Sequence, residues 1–458
     1  MEVIVRRITA LMGLTALVVG LLALPAAAGG NSQVRVNVLL NIDVNDSVLA
    51  SLSTFGKLRG TLPEIDAVFM QVEEGNIDDI AALPFVVAVS PDAERNGSPV
   101  DTVSATDFTG GLSTWDLDAI NVTNFGVGRT IGYDGTGVYV AVLDTGLLDT
   151  WRQYFPEERI AEEYATAFGG GGNEQGNVSE QPNKWEQDTN SHGTHVTSTI
   201  LGYSLGGAPI NGVAPMATVI PVKVLNNNGS GWSSMVAAGI TYVGDLKAGP
   251  LAGYPVVINM SLGGPELDAV EKAAIDYAIA EGVIIVASAG NEGEDGMGYP
   301  GAYAPVISVA ASGWVGEWTA ASWWRTVDVV DPTNPDHFYI TDFSSMELSG
   351  QDLDVAAPGS WVVGPYQTQN GQTSYFYLGG TSMSSPHVAG IAALMLDKKA
   401  GLSQATVEAI LEATAIGLAP GCRTVATPFP PFSETFCWGA DATGAGLVNA
   451  YAAVKASK

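Results

Sequence analysis

Short apolar, β-branched runs alternate along this chain with segments in which apolar residues return every three or four positions. A period near two marks a strand and a period near 3.6 marks an amphipathic helix. In the first unit the pattern predicts strands over 34–40, 67–72 and 85–89, with helices over 46–55 and 76–83. That is a small strand-helix-strand-strand-helix-strand-like arrangement. Residues 91–111, rich in Asp, Ser, Thr, Gly and Pro, read as a linker. Beyond it, strands are predicted at 137–143, 218–225, 256–260, 283–287 and 306–311. Helices are predicted at 192–201, 233–246, 267–281, 404–414 and 446–455. Strands that alternate with helices imply an α/β fold in three layers, a mostly parallel central sheet covered on both faces. Sites in such sheets gather at the carboxyl ends of strands, where Asp144 and Asn291 fall.

One segment departs from amphipathicity. Residues 388–395 are apolar nearly all round, so a helix there must lie inside the protein. Pro386 is tolerated only in a first turn, which places the helix start near Ser382 or Met383 and sets Ser382 at a positive helix end. Taken alone, Ser382 also reads as a simple N-cap behind two glycines. An insertion over 313–342 carries Trp314, Trp318, Trp323, Trp324, His337, Phe338 and Tyr339, rings expected to pack the loop onto the body.

The chain has 458 residues, 46% of them hydrophobic, enough for a sizeable core. Its 48 acids against 19 bases give a net charge of −29, which argues against nucleic acid as a partner. Arg6 and Arg7, an apolar run over 8–24 and the small residues Ala26, Ala27 and Ala28 read as an export signal over 1–28, an uncleaved anchor being the alternative. A secreted product with no membrane attachment after signal cleavage is expected. Cys422 and Cys437 can close a short loop in an oxidising compartment or stay as two thiols; their spacing and the export signal favour the bridge.

Three segments carry candidate chemistry: Val142-Leu143-Asp144-Thr145-Gly146, Asn190-Ser191-His192-Gly193-Thr194-His195 and Gly380-Thr381-Ser382-Met383-Ser384. Acyl transfer by a serine needs a base to take its proton and an acid behind that base to fix its tautomer. Asp144, His192 and Ser382 supply those types in that chain order. A fourth segment, Ala287-Ser288-Ala289-Gly290-Asn291-Glu292-Gly293, follows an apolar strand.

Together these segments resemble the subtilisin family of serine proteases (peptidase S8), from about residue 113 onward and more loosely over 31–95. The resemblance implies a subtilisin-like peptidase domain over 106–458. Before it would stand a small α+β, ferredoxin-like propeptide over 29–105 that acts as an intramolecular inhibitor. It implies Asp144 as orienting acid, His192 as general base, Ser382 as nucleophile and Asn291 as oxyanion donor. Asp188 belongs to the histidine motif, and His195 is read as packing. Gly229, Ser230, Gly231, Ser261, Leu262 and Gly263 match the two edges that bind an extended substrate. Gly298 matches the floor of the main pocket and implies a preference for large apolar residues before the cut bond. No cofactor or catalytic metal is implied, and the loop 205–211 is thin in the Asn and Asp of the family's usual calcium site. The acids of 151–190 are a second place for calcium, though a solvated acidic face is the plainer reading. Expected partners are protein or peptide substrates and the chain's own propeptide, with a monomer as the default state. A serine esterase would carry G-x-S-x-G and order its triad Ser, Asp, His, unlike this chain. A binding protein that had lost turnover would be expected to lack a triad member.

Overall fold

The computed structural model describes residues 32–105, 113–124, 128–172, 176–205, 208–326 and 329–458. The export signal read at 1–28 lies outside the described residues, as does 106–112, where the expected boundary after 105 falls. Among the described residues no helix is long and apolar enough to cross a membrane.

A nine-stranded sheet forms the centre. Its path runs through Ser179–Glu180, Thr166–Gly169, Thr218–Lys223, Tyr139–Asp144, Val256–Met260, Val283–Ser288, Ile307–Trp314 and Phe338–Ile340, with Val355–Pro358 also paired to Ile307–Trp314. Pairing is parallel from Thr166–Gly169 through Ile307–Trp314 and on to Val355–Pro358, and antiparallel only at the two outer strands Ser179–Glu180 and Phe338–Ile340. Both faces are dry, because alternate residues enter different cores. Val140, Val142, Val257 and Val286 join one cluster, while Ala141, Leu143, Ile258 and Ile285 join the other. Continuous apolar strands are what a sheet covered on both sides requires.

Helices Ser233–Ala248 and Ala269–Ala280 share the second core. On the first lie His192–Leu201 and Thr381–Lys398, packed on each other, with Gln404–Thr414 and Ala450–Ala456 beside them. Thr381–Lys398 is buried at every position from Thr381 to Leu396, as its apolar circumference predicts.

Residues 33–91 form a separate four-stranded antiparallel sheet with its own core around Val38, Leu52, Met70 and Ile80. Helices Asp46–Leu52 and Ile77–Ala81 are shorter than the pattern predicts. The strand Gly56–Leu62 was not foreseen from its sequence. With Lys57, Arg59 and two glycines it lacks a clean alternation, and its place is fixed by pairing to Ala67–Glu73. The order of strands, helices and pairs is the split βαβ arrangement of ferredoxin-like folds.

The linker expected over 91–111 is corrected by two strands within it. Glu94–Asn96 pairs with Ser230–Trp232, and Asp101–Ala105 pairs with Tyr375–Gly379. Its turn-like composition is misleading because each strand is short and borrows the edge of a distant one. The insertion behaves as expected: Trp314, Trp323 and Trp324 are buried against Trp115 and Tyr377, Tyr339 is buried against Phe436, and Phe338 is buried too. Cys422 and Cys437 face each other across the hairpin formed by Gly421–Ala426 and Ser433–Trp438 and are joined by a disulfide.

Glu317 sits fully buried in this insertion. It accepts hydrogen bonds from Trp314 N–H, Tyr339 Oη and Ser360 Oγ, all at 2.8 Å. Burial, only partly offset by these donors, pushes its carboxyl from 4.5 up to about 8. A raised folded-state pKa means the proton is held more tightly in the folded chain, so its contribution is complete below pH 4.5 and declines until about pH 8. In a Ser382→Ala background, Glu317→Gln is therefore expected to flatten the loss of stability between these limits, read by denaturant unfolding at a series of pH values.

Candidate active site

Asp144 ends a central strand, and the backbone turns sharply at Gly146 to leave its carboxylate at the sheet's carboxyl edge. His192 opens the helix His192–Leu201, and Nδ1 lies 2.8 and 3.0 Å from the two carboxylate oxygens of Asp144. Both side chains are fully buried. A carboxylate only accepts, so Nδ1 carries the proton and Nε2 is left as the basic nitrogen. Nε2 is buried and makes no hydrogen bond among the described residues.

The approach of the two segments is built by glycine and by Asp188. A Cβ at Gly193 would stand 2.3 Å from the Gly146 carbonyl oxygen, so a side chain there would push the helix off the strand. Asp188 accepts from the backbone N–H groups of Asn190 and Ser191, each at 2.8 Å, and from Thr145 Oγ1 at 2.9 Å. Thr145 Oγ1 in turn accepts from Gly193 N–H at 3.0 Å. Burial pushes the Asp188 carboxyl up, while Lys223 and these donors pull it down. His195, one turn on, is buried and donates Nε2–H to the Val362 carbonyl at 3.2 Å. Burial, then the neighbouring His192, depress its pKa to about 3, which keeps it neutral and places it in packing.

Ser382 is the second residue of its helix, behind Gly380 at φ 155°. Its Oγ donates to the Ser261 carbonyl at 3.2 Å, and Ser261 Oγ donates back to the Ser382 carbonyl at 2.8 Å. The same edge is held from below: Asn259 Nδ2 donates to Ser261 Oγ at 3.0 Å, and Ser385 Oγ donates to Asn259 Oδ1 at 2.7 Å. Asn291 is oriented by its oxygen. Oδ1 accepts from Thr381 N–H and Thr381 Oγ1, both at 2.9 Å, which turns the amide N–H₂ away from that helix end.

Gly229, Ser230 and Gly231 face Ser261, Leu262 and Gly263 across a cleft, and the chain's own segment 94–97 lies between them. Asn96 N–H donates to Gly263 O at 2.9 Å and Gly263 N–H to Asn96 O at 3.0 Å. Gly97 N–H donates to Gly229 O at 2.9 Å. Only glycine suits position 97, since a Cβ would meet Ser261 O at 2.7 Å and Leu225 at 2.7 Å. A pocket opens beside Ser382, lined by Ser98, Pro265, Met297, Gly298, Tyr299 and Leu348 among others. Gly298 forms a wall there, and its N–H is tied to Ala289 O at 2.8 Å. Sequence reasoning missed Met297, Leu348 and Gln351. Gln351 clasps the Met297 backbone at both its N–H and C=O, each at 2.9 Å, a contact across 54 positions that no local pattern signals.

A family model described as the subtilase family matches residues 135–451. The chain belongs to that family. This subtilase is a subtilisin-like serine endopeptidase in fold and class. It is 35% identical to subtilisin DY of Bacillus licheniformis over 291 residues, 63% of this chain and 86% of that one. It is 31% identical to M-protease of Shouchella clausii (strain KSM-K16) over 435 residues, 93% of this chain and 90% of that one. Among solved structures, fervidolysin of Fervidobacterium pennivorans, a keratinolytic enzyme related to subtilisin, superposes with a TM-score of 0.65 at 24% identity. That match covers 94% of this chain but 62% of fervidolysin, and it speaks for the fold alone. Sphericase superposes with a TM-score of 0.53 at 27% identity, covering 75% of this chain and 99% of its own.

Catalysis in the subtilase family needs no cofactor. The segment 205–211, read as the place of the family's usual calcium loop, belongs to a hairpin in which Gly202–Leu205 pairs with Ala208–Asn211, and its residues 206 and 207 lie outside the described residues. In the 151–190 segment the exposed acids Glu157, Glu162 and Glu186 converge on Arg152. Among the described residues, Asp354, Glu408 and Glu412 are close enough to share a cation.

Asn291→Ala is expected to lower kcat by about 10²- to 10³-fold with little change in KM, a range established on a member of this family for loss of one oxyanion donor. Steady-state kinetics on a chromogenic peptide checks it.

Proposed function

We propose that this chain is an exported serine endopeptidase made as a self-processing precursor, with Asp144, His192 and Ser382 as its triad and Asn291 as oxyanion donor. Residues 1–28 are its export signal, 29–105 its inhibitory propeptide and 106–458 its peptidase domain. In acylation, His192 Nε2 takes the Ser382 Oγ proton as Oγ attacks the substrate carbonyl, and the Asp144 carboxylate stabilises the imidazolium. The oxyanion is met by the Asn291 amide and the Ser382 N–H at the helix end. His192 then gives the proton to the leaving amine, and water repeats the cycle on the acyl-enzyme. Substrate lies extended between 229–231 and 261–263, using main-chain hydrogen bonds for affinity and the pocket beside Gly298 for large apolar side chains.

The observation that carries this reading is the course of residues 94–101. They run antiparallel to both edges, as a bound peptide would, and cross the Ser382–His192 region. With Gly97 N–H on Gly229 O and Val100 N–H on Gly379 O at 2.7 Å, the Ser98–Pro99 bond lies between these two anchors, and Ser98 and Val100 line the same pocket as Ser382. The nitrogen of Pro99 carries the pyrrolidine ring in place of an N–H. This register suits occupation of the cleft better than turnover, which supports an inhibitory role and a maturation cut further along.

Buried polar contacts support a specific dock for the propeptide. Arg95 is fully buried and pairs through Nε with Glu271 Oε1 at 3.0 Å, and Asp92 accepts from Ser234 N–H at 2.9 Å and Gly172 N–H at 2.6 Å. Asn37 Nδ2 donates to Asp268.

Two expectations follow. Wild type should lose its N-terminal segment and gain one fluorophosphonate label by intact mass, while Ser382→Ala does neither. A full-length, unlabelled wild type would sink the protease mechanism, and a mutant that matures in a protease-free host would sink self-processing. Arg95→Ala strands a buried Glu271 at a cost of about 3–5 kcal/mol, so a propeptide carrying it should inhibit the mature enzyme at least tenfold more weakly. An inhibition constant equal to wild type would refute the clamp.

A further inference from the structure

A second cavity, of about 780 Å³, opens on the far side of Asn291, and Val100 and Asp101 line it. It therefore lies downstream of the Ser98–Pro99 bond, on the leaving-group side of Ser382. The downstream chain is held there as a bound peptide would be, since Asp101–Ala105 pairs antiparallel with Tyr375–Gly379. One wall comes from the peptidase core, through Glu292, Glu294, Asp342 and Trp361. The other comes from the disulfide-closed hairpin, through Phe429 and Glu434. The hairpin is fixed in place by Phe436 stacked on Tyr339 at 4.8 Å and by Arg423 paired with Asp336 at 2.6 Å.

We propose that this cavity is a subsite for substrate residues after the cut bond, and that it selects a Lys or Arg at the third such position, the place Asp101 now occupies. The inference rests on the endopeptidase reading above. Among the described residues, the lining includes four carboxylates, on Glu292, Glu294, Asp342 and Glu434, besides Asp101 itself, and no Lys or Arg. Trp361 and Phe429 offer apolar faces to the stem of a long cationic side chain. The chain's own residue has the wrong sign for this place. Burial, then Asp342, then Glu434 hold the Asp101 carboxyl above its usual range. A cation at the same position would meet attraction where Asp101 meets repulsion, so a substrate of that kind competes well against the propeptide.

The test uses the mature enzyme and three quenched-fluorescence peptides that differ only at the third residue after the cut bond, Lys, Gln or Glu. Wild type is expected to show kcat/KM for Lys over Glu of roughly tenfold or more at low salt, shrinking as salt is added. Asp342→Asn on one wall and Glu434→Gln on the other are each expected to bring that ratio down by roughly threefold. The ratio is internal to each variant, so a partial loss of folded enzyme cancels, and two walls give two independent chances of a folded variant. Equal cutting of the three peptides by wild type, or a ratio indifferent to both substitutions, overturns the subsite and leaves the endopeptidase reading intact. Failure to cut the Gln peptide overturns the endopeptidase reading and this inference with it.

Discussion

Burial of one helix governs the rest of the molecule. Thr381–Lys398 is apolar nearly all round over 388–395 and is buried from Thr381 to Leu396, so water must be excluded from that stretch on every side. The sheet supplies one side of its enclosure, and His192–Leu201 and Ala450–Ala456 supply others. Once the helix is enclosed at the carboxyl edge of the strands, its N-terminal turn, with Ser382, meets Ser261 just past the strand Val256–Met260. Neighbouring His192 sits on the helix packed beside it. The position of the site thus follows from where a helix with an apolar middle can be hidden.

Polar groups inside this enclosure are placed by one another. Asp144 orients His192, Asp188 and Thr145 fix the turn before it, and Asn259 and Ser261 stitch the segment after Val256–Met260 to the Ser382 helix. Each of these groups is buried, so each would cost free energy without its partner. Side chains held in this way lose little further entropy when substrate arrives, which is the condition for preorganised catalysis. The N-terminal unit is attached by the same physics. Asn37, Asp92 and Arg95 are buried against Asp268, Ser233, Ser234 and Glu271, an interface built of directional polar contacts.

Acidity is spread unevenly in its effects. Arg152 gathers three exposed glutamates, an arrangement worth little individually in water. Glu317 and Asp354, by contrast, are buried without a cationic partner among the described contacts, and burial pushes their carboxyls to about 8 and about 7. The cavity downstream of Ser382 lies between these extremes, open to solvent but crowded with like charge. Its far wall is a hairpin near the chain's C-terminal end.

Periodicity and a few short motifs determined much of this protein. The alternation of apolar strands and helices fixes a covered parallel sheet. The all-apolar run after Pro386 fixes a buried helix, and the order of Asp144, His192 and Ser382 around small residues points to acyl transfer. These signals are local, because each element's burial is written into its own spacing. Only the tertiary structure decided the rest. Glu94–Asn96 and Asp101–Ala105 carry turn-like residues and become strands because distant edges offer them unpaired N–H and C=O groups. Gly56–Leu62 is a strand for the same reason, and Gln351 finds Met297 only through the fold. The wall that Phe429 and Glu434 add to the cleft has no local signature either. Hydrogen-bond partners far apart in sequence leave no period behind, so what they build becomes visible only when the chain is folded.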